Sequence, residues 1–166
     1  MEKIKIIFLD IDGVLRRVKD TGFNKKSIDN LNDLIRKTDA KIVISSTWRQ
    51  RGIEDVKKFL FENNVKGEII DITPIFVISK VCGEGFQSSI RHTSIKSPRG
   101  LEIREWLRDY TTMDRYVESY VIIDDSGDMM LSQVDNYVKV EQTVGFDSKC
   151  LKKAINILNV INIPTF

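Results

Sequence analysis

Cysteine, histidine and proline are scarce in this chain, whose 166 residues hold two, one and three of them. Cys82 and Cys150 stand far apart, in neither a C-x-x-C pair nor a metal-ligand cluster, so they read as reduced thiols of a reducing compartment rather than a disulfide. The lone histidine, His92, falls in an irregular stretch and reads as a loop residue. Long apolar runs are missing too. The longest are strand-length and bounded by charge, which excludes a transmembrane span or the apolar stretch of a signal peptide and makes the cytoplasm the expected location. No repeat, low-complexity tract or Pro/Gly/Ser-rich linker divides the chain, so residues 1–166 read as a single domain. Net charge is only +2, with the basic excess confined to residues 1–99. A composition of 42% hydrophobic and 30% charged residues suffices for one compact core.

What is present alternates β-branched apolar runs with helical periodicity. Strands are predicted over 4–10, 41–45, 68–72, 120–124 and 137–140. Ile28, Leu31, Leu34 and Ile35 form one helical stripe, and Ile53, Val56, Phe59 and Leu60 a second. A third helix is expected to start at Ser97-Pro98, with serine as cap and proline at the first helical position, and to carry Leu101, Trp106, Leu107 and Tyr110. Leu151, Ala154, Ile155 and Leu158 mark the last. Strands alternating with helices define an α/β domain: a Rossmann-like three-layer sandwich with a mostly parallel sheet. Residues 76–96 have no clean period and read as a long loop over the site.

Functional groups in open parallel sheets gather at the carboxyl ends of the strands. The first strand ends there in Asp10, with Asp12 two residues on and Gly13 next. Extended alternation points Asp10 and Asp12 into one pocket, where two carboxylates are tolerated only with a cation or a shared proton. That pattern predicts a hard-cation site, and oxygen ligands suit Mg2+. The strand 120–124 delivers Asp124 and Asp125 to the same edge, followed by Asp128, and the strand 41–45 delivers Ser45 and Ser46. Lys96 and Arg99 flank a helix start, whose dipole also favours an anion. Acid pair, hydroxyl, cation and second acid pair are what phosphoryl transfer through an aspartyl phosphate requires.

The ordered segments "FLDIDGVL", "VISST", "IKSPRG" and "VIIDD" resemble the four motifs of the haloacid dehalogenase (HAD) superfamily, most of whose members are Mg2+-dependent phosphatases on a Rossmann-like core. "SSTWR" and "RGLEIREWL" further resemble the HAD domain of multifunctional RNA repair proteins. The resemblance implies Asp10 as nucleophile and metal ligand, Asp12 as acid and base with its backbone carbonyl on the metal, and Ser45 as phosphoryl-binding hydroxyl. Ser46 is the alternative if the strand ends one residue later. It implies Lys96 as the cation bridging phosphate and Asp10, with Arg99 as competitor, and Asp125 as metal ligand with Asp124 beside it or as an alternate ligand.

Family members acting on small metabolites usually carry a cap domain after the first motif or between the second and third. Neither segment is long enough here, so the site is expected to be open. Arg16, Arg17, Lys19, Arg49, Arg51, Arg91 and Arg99 are predicted to ring it, which favours phosphate-rich partners. The expected substrate is therefore a phosphorylated macromolecule, a nucleic-acid end ahead of a phosphoprotein and of small esters, with Ser46, Arg49 and Arg99 binding it. Rival readings are a non-covalent metal-dependent nuclease and a catalytically silent phosphate-binding module.

Overall fold

The computed structural model describes residues 2–80, 93–112, 114–161 and 164, with side chains at 2, 77–80 and 93–96 left aside. Five parallel strands form the sheet: β1 (Glu2–Leu9), β2 (Lys41–Ile44), β3 (Ile69–Ile72), β6 (Arg115–Asp124) and β7 (Tyr137–Lys139), in the order β3-β2-β1-β6-β7. Strands buried on both faces explain the continuous apolar runs in the sequence. One face carries Ile7, Leu9, Ile42, Ile44, Val121 and Ile123, packed against helices α1 (Lys25–Thr38), α2 (Ile53–Glu62) and α4 (Ser148–Leu158). The other carries Ile6, Phe8, Val43, Val117 and Ile122, covered by Ile103, Trp106 and Leu107 of α3 (Arg99–Tyr110). Phe8 meets Trp106 edge to face at 5.4 Å. The result is the expected three-layer sandwich.

Helix ends follow local chemistry. Asn24 caps α1 by accepting the Ser27 N–H at 3.0 Å, and Asp147 caps α4 by accepting from the Lys149 and Cys150 N–H groups. The start of α3 departs from expectation. Pro98 sits at the cap position and Ser97 turns inward, its hydroxyl donating to Glu102 at 2.9 Å. The capping acceptor comes from another part of the chain: Asp128 takes the Arg99 N–H at 2.9 Å.

Residues 76–96 also depart from expectation. Val77–Lys80 (β4) and Thr93–Lys96 (β5) pair as an antiparallel ribbon with Val77 opposite Lys96. The ribbon leaves the sheet after β3 and returns to α3; residues 81–92, which include Cys82, Arg91 and His92, lie outside the described part. Cys150 is free. Among the described residues there is no cap domain, and no helix is long and apolar enough to cross a membrane.

Candidate active site

Strand register assembles the site. Leu9 pairs with Ile44 on one side and Ile123 on the other, so the next residues, Asp10, Ser45 and Asp124, stand at one level on three adjacent strands. The Ser45 N–H donates to the Leu9 carbonyl at 3.0 Å and the Asp10 N–H to the Ile123 carbonyl at 3.0 Å, which extends the ladder through that level. Phe8, Val43 and Ile122 face α3, and a two-residue period places the three polar side chains on that same side.

Carboxylate oxygens of Asp10, Asp124 and Asp125 lie within 4.8 Å of one another. The first turn of α3 sends Arg99 into this group, with its Nη1 3.0 Å from Asp10 and 2.7 Å from Asp124. Burial pulls the guanidinium pKa down, but Asp124 and Asp10 outweigh it and the net shift is upward. With all three carboxylates ionised, one guanidinium leaves two negative charges, the count a divalent cation would match. Oxygen donors and close spacing both fit such an ion, which Asp10, Asp124 and Asp125 could hold.

Asp124 is fully buried, and its pKa is pushed up to about 7, first by that burial and then by the charge on Asp10, against the pull of Arg99 and the Ser126 N–H. Burial and Asp10 also raise Asp125. A carboxyl whose folded pKa lies above its unfolded value holds extra protons in the fold. Its stabilising contribution is complete below the unfolded pKa and is lost as pH rises through about 7. The metal-free protein should therefore lose several degrees of melting temperature between about pH 5 and about pH 8, with a shallower fall in Asp124→Asn. Equal slopes in differential scanning fluorimetry would count against Asp124 as the source.

Gly13 makes room for the third acid. Its φ is +79°, and a Cβ there would lie 2.3 Å from the Asp125 Oδ2. Left-handed backbone and steric exclusion act together. Mg2+ should raise the melting temperature of the wild type, and Gly13→Ala, by displacing Asp125, should diminish that rise. An undiminished Mg2+ response would show that Asp125 is not a ligand.

The hydroxyls separate cleanly. Ser45 Oγ is buried without a hydrogen-bond partner, an arrangement that costs free energy unless something binds there. Ser46 Oγ is occupied, accepting the Trp48 N–H at 3.4 Å to cap a short 3-10 helix, Thr47–Arg51. Thr73 was missed. Its N–H donates to the Ile44 carbonyl, placing it beside Ser45 at the same edge, and its buried Oγ1 is likewise unpartnered. The hydroxyl at the end of the predicted strand 68–72 was the available signal.

Three expectations need correction. Asp12 does not converge with Asp10: β1 ends at Leu9, strand alternation ends with it, and the Asp12 carboxylate turns outward to Trp48 Nε1 at 2.7 Å and Arg16 Nη1 at 3.0 Å. Arg49 is not a rim residue. It is buried, donating to the carbonyls of Ser45 and Ser46 and forming an ion pair with Glu102. Nor does Arg99 ring the mouth, since its guanidinium is spent on Asp10 and Asp124. Lys96 ends β5, one residue before Ser97; its side chain lies outside the described part. Asp128 serves as the α3 cap.

A parallel sheet whose central strand ends in Asp10, flanked by a buried, unpartnered hydroxyl and a second acid pair, is the arrangement that the resemblance to the haloacid dehalogenase superfamily implies. Residues 6–151 match the family described as the HAD domain in Swiss Army Knife RNA repair proteins, and the chain belongs to that family. No curated protein and no solved structure matches it.

Proposed function

We propose that this domain is a Mg2+-dependent phosphatase that hydrolyses phosphomonoesters through an aspartyl phosphate on Asp10, acting on phosphorylated nucleic-acid ends. The observation that carries this reading is the convergence of Asp10, Asp124, Asp125 and Arg99 one strand away from the unpartnered Ser45 hydroxyl. Mg2+ would be held by Asp10, Asp124, Asp125 and the Asp12 backbone carbonyl, and when bound it supplies charge neutralisation for an incoming phosphate.

The chain's own groups do the rest. Asp10 attacks phosphorus through one carboxylate oxygen while the bond from phosphorus to the alcohol oxygen breaks, and Asp12, its side chain turned from Trp48 and Arg16 toward the pocket, gives that oxygen its proton. In the second half, water attacks phosphorus, the bond to Asp10 breaks, and the water's proton returns to Asp12. Ser45 donates to a phosphoryl oxygen. Arg99, fixed on Asp10, supplies the cation that the sequence alone weighted toward Lys96.

For the substrate, the absence of a cap domain among the described residues leaves binding to the rim. Arg51 is exposed and Arg16 half-exposed, both over the Trp48 ring whose Nε1 meets Asp12, and the family's RNA repair context favours RNA. The test is Mg2+-dependent phosphate release from an end-phosphorylated oligoribonucleotide and the matching mononucleotide, at low and high salt. Higher efficiency on the oligomer, fading with salt and eroded by Arg51→Ala, is expected. Equal efficiencies insensitive to salt would remove nucleic acid and leave a phosphoprotein or small ester; release from no ester would remove the phosphatase.

A further inference from the structure

The Asp12 carboxylate, with 55% of its side chain exposed, is held by two donors outside the acid cluster. Trp48 Nε1 donates to its Oδ2 at 2.7 Å and Arg16 Nη1 to its Oδ1 at 3.0 Å. Two donors that take the two oxygens of one anion also suit the two non-bridging oxygens of a phosphodiester. A second guanidinium completes the group: Arg51 lies over the Trp48 ring at 4.5 Å and Arg16 at 5.3 Å.

Charge, rigidity and place all favour such a ligand. Arg51 is exposed and forms no ion pair among the described residues, so two guanidiniums and one carboxylate leave a single positive charge. Trp48 packs on Phe59 with ring centroids 4.8 Å apart and meets Phe23 edge to face at 6.4 Å. The short helix that carries Trp48 and Arg51 is anchored by Arg49, whose guanidinium grips the carbonyls of Ser45 and Ser46. A guanidinium already held on an indole loses less side-chain freedom on taking up an anion than a solvated one does. Asp12 follows Asp10 by two residues, at most about 7 Å of backbone. An anion in its place therefore lies within one nucleotide's length of a terminal phosphate at Asp10.

We propose that Trp48 Nε1, Arg16 and Arg51 form a seat for the phosphodiester next to the terminal phosphate of a nucleic-acid strand, a seat that the Asp12 carboxylate fills in the free protein. The proposal rests on the phosphatase reading above and adds to it what makes a strand end a better substrate than a mononucleotide. The phosphodiester takes over the two donors on Asp12, and Arg51 adds the attraction that lets it displace the carboxylate. Recognition is by charge rather than by base, because the two guanidiniums over the Trp48 ring leave little face for stacking. Phosphate contacts of this kind set the position of a strand without reading its sequence. Seating the strand also releases Asp12 from both donors, so the contact that recognises a second phosphate frees that side chain to turn toward the pocket.

The test compares kcat/KM in Mg2+ for a mononucleotide, a dinucleotide with the same terminal phosphate, and that dinucleotide with an uncharged methylphosphonate linkage, each phosphorylated at the 5′ and at the 3′ end. Both dinucleotides carry a 2′-O-methyl group on the sugar before the linkage, which keeps the linkage intact. The charged dinucleotide should exceed the other two by about tenfold. Arg51→Ala and Trp48→Phe should each shrink that ratio; the phenylalanine keeps a ring in the packing and deletes the N–H. A second readout is independent of turnover. Added to Asp10→Asn, the charged dinucleotide should shift the indole N–H resonance of Trp48 more than the uncharged one does, while that of Trp106, bonded to Asp71 at 2.7 Å, stays in place as an internal reference. A charged dinucleotide hydrolysed no better than the uncharged one, or an unmoved Trp48 resonance, would overturn the seat alone. A wild type that releases phosphate from none of the three would overturn the phosphatase reading and the seat's role with it.

Discussion

Asp10→Asn should abolish turnover, on the order of 10^4-fold or more, while raising the melting temperature of the metal-free protein. The amide is nearly isosteric and keeps an acceptor for Arg99, but it is no nucleophile toward phosphorus. It also removes the charge that pushes Asp124 and Asp125 upward, leaving two acids in place of three around a single guanidinium. Loss of activity with a gain in stability distinguishes this substitution from one that merely damages the fold. Radiolabelled substrate quenched in acid should leave a hydroxylamine-labile acyl phosphate on the wild type and none on Asp10→Asn. Retention of more than about a hundredth of wild-type turnover would exclude a covalent role for this aspartate and favour a metal-dependent nuclease-like hydrolysis.

Arg49→Ala should cost about 3–5 kcal/mol of stability, because it strands Glu102. That carboxylate is 3% exposed, and its remaining partner is the Ser97 hydroxyl at 2.9 Å. Roughly ten degrees of melting temperature should be lost in a chain of this size. Replacing both charges together, as in Arg49→Met with Glu102→Leu, should lose less than the single alanine change, since no buried charge is then left alone. Chemical denaturation of the three variants decides it: a loss below about 1 kcal/mol for Arg49→Ala would mean that water already solvates the pair. The burial of Arg49 also gives it a task that surface arginines lack. It ties the loop leaving β2 to the first turn of α3, and so keeps Ser45 and Arg99 in fixed relation.

Strands buried on both faces were legible because they read as unbroken apolar runs, as in residues 6–9, 42–44 and 120–123. The acids at their ends were legible for the same reason, since a charge directly after such a run has to sit at the sheet edge. Asp12 was misread where that logic expires, three residues past the last paired residue of β1. The ribbon of β4 and β5 left no pattern because "VISK" and "TSIK" pair with each other and with no other described strand, so neither carries the doubly apolar signature. Nothing local marks Arg49 as buried. Its partner Glu102 lies 53 residues away, and only the packing of α3 against the sheet brings them together. The α3 cap was hidden similarly, because Asp128 reaches Arg99 from 29 residues downstream.

The pairing of Leu9 with both Ile44 and Ile123 has a bearing on how the domain fails. The backbone amides that present Asp10 and Ser45 are bonded into the central three strands, the part of a sheet whose protons exchange with solvent only when the whole domain opens. The geometry proposed for catalysis is thus bound into the most slowly opening unit of the molecule rather than carried on a loop that frays early. Partial melting at the β7 edge or of the last turn of α4 would leave Asp10, Ser45 and Arg99 in place. Heat or denaturant should accordingly take activity and core structure away in a single transition, with no folded but inactive species accumulating before it.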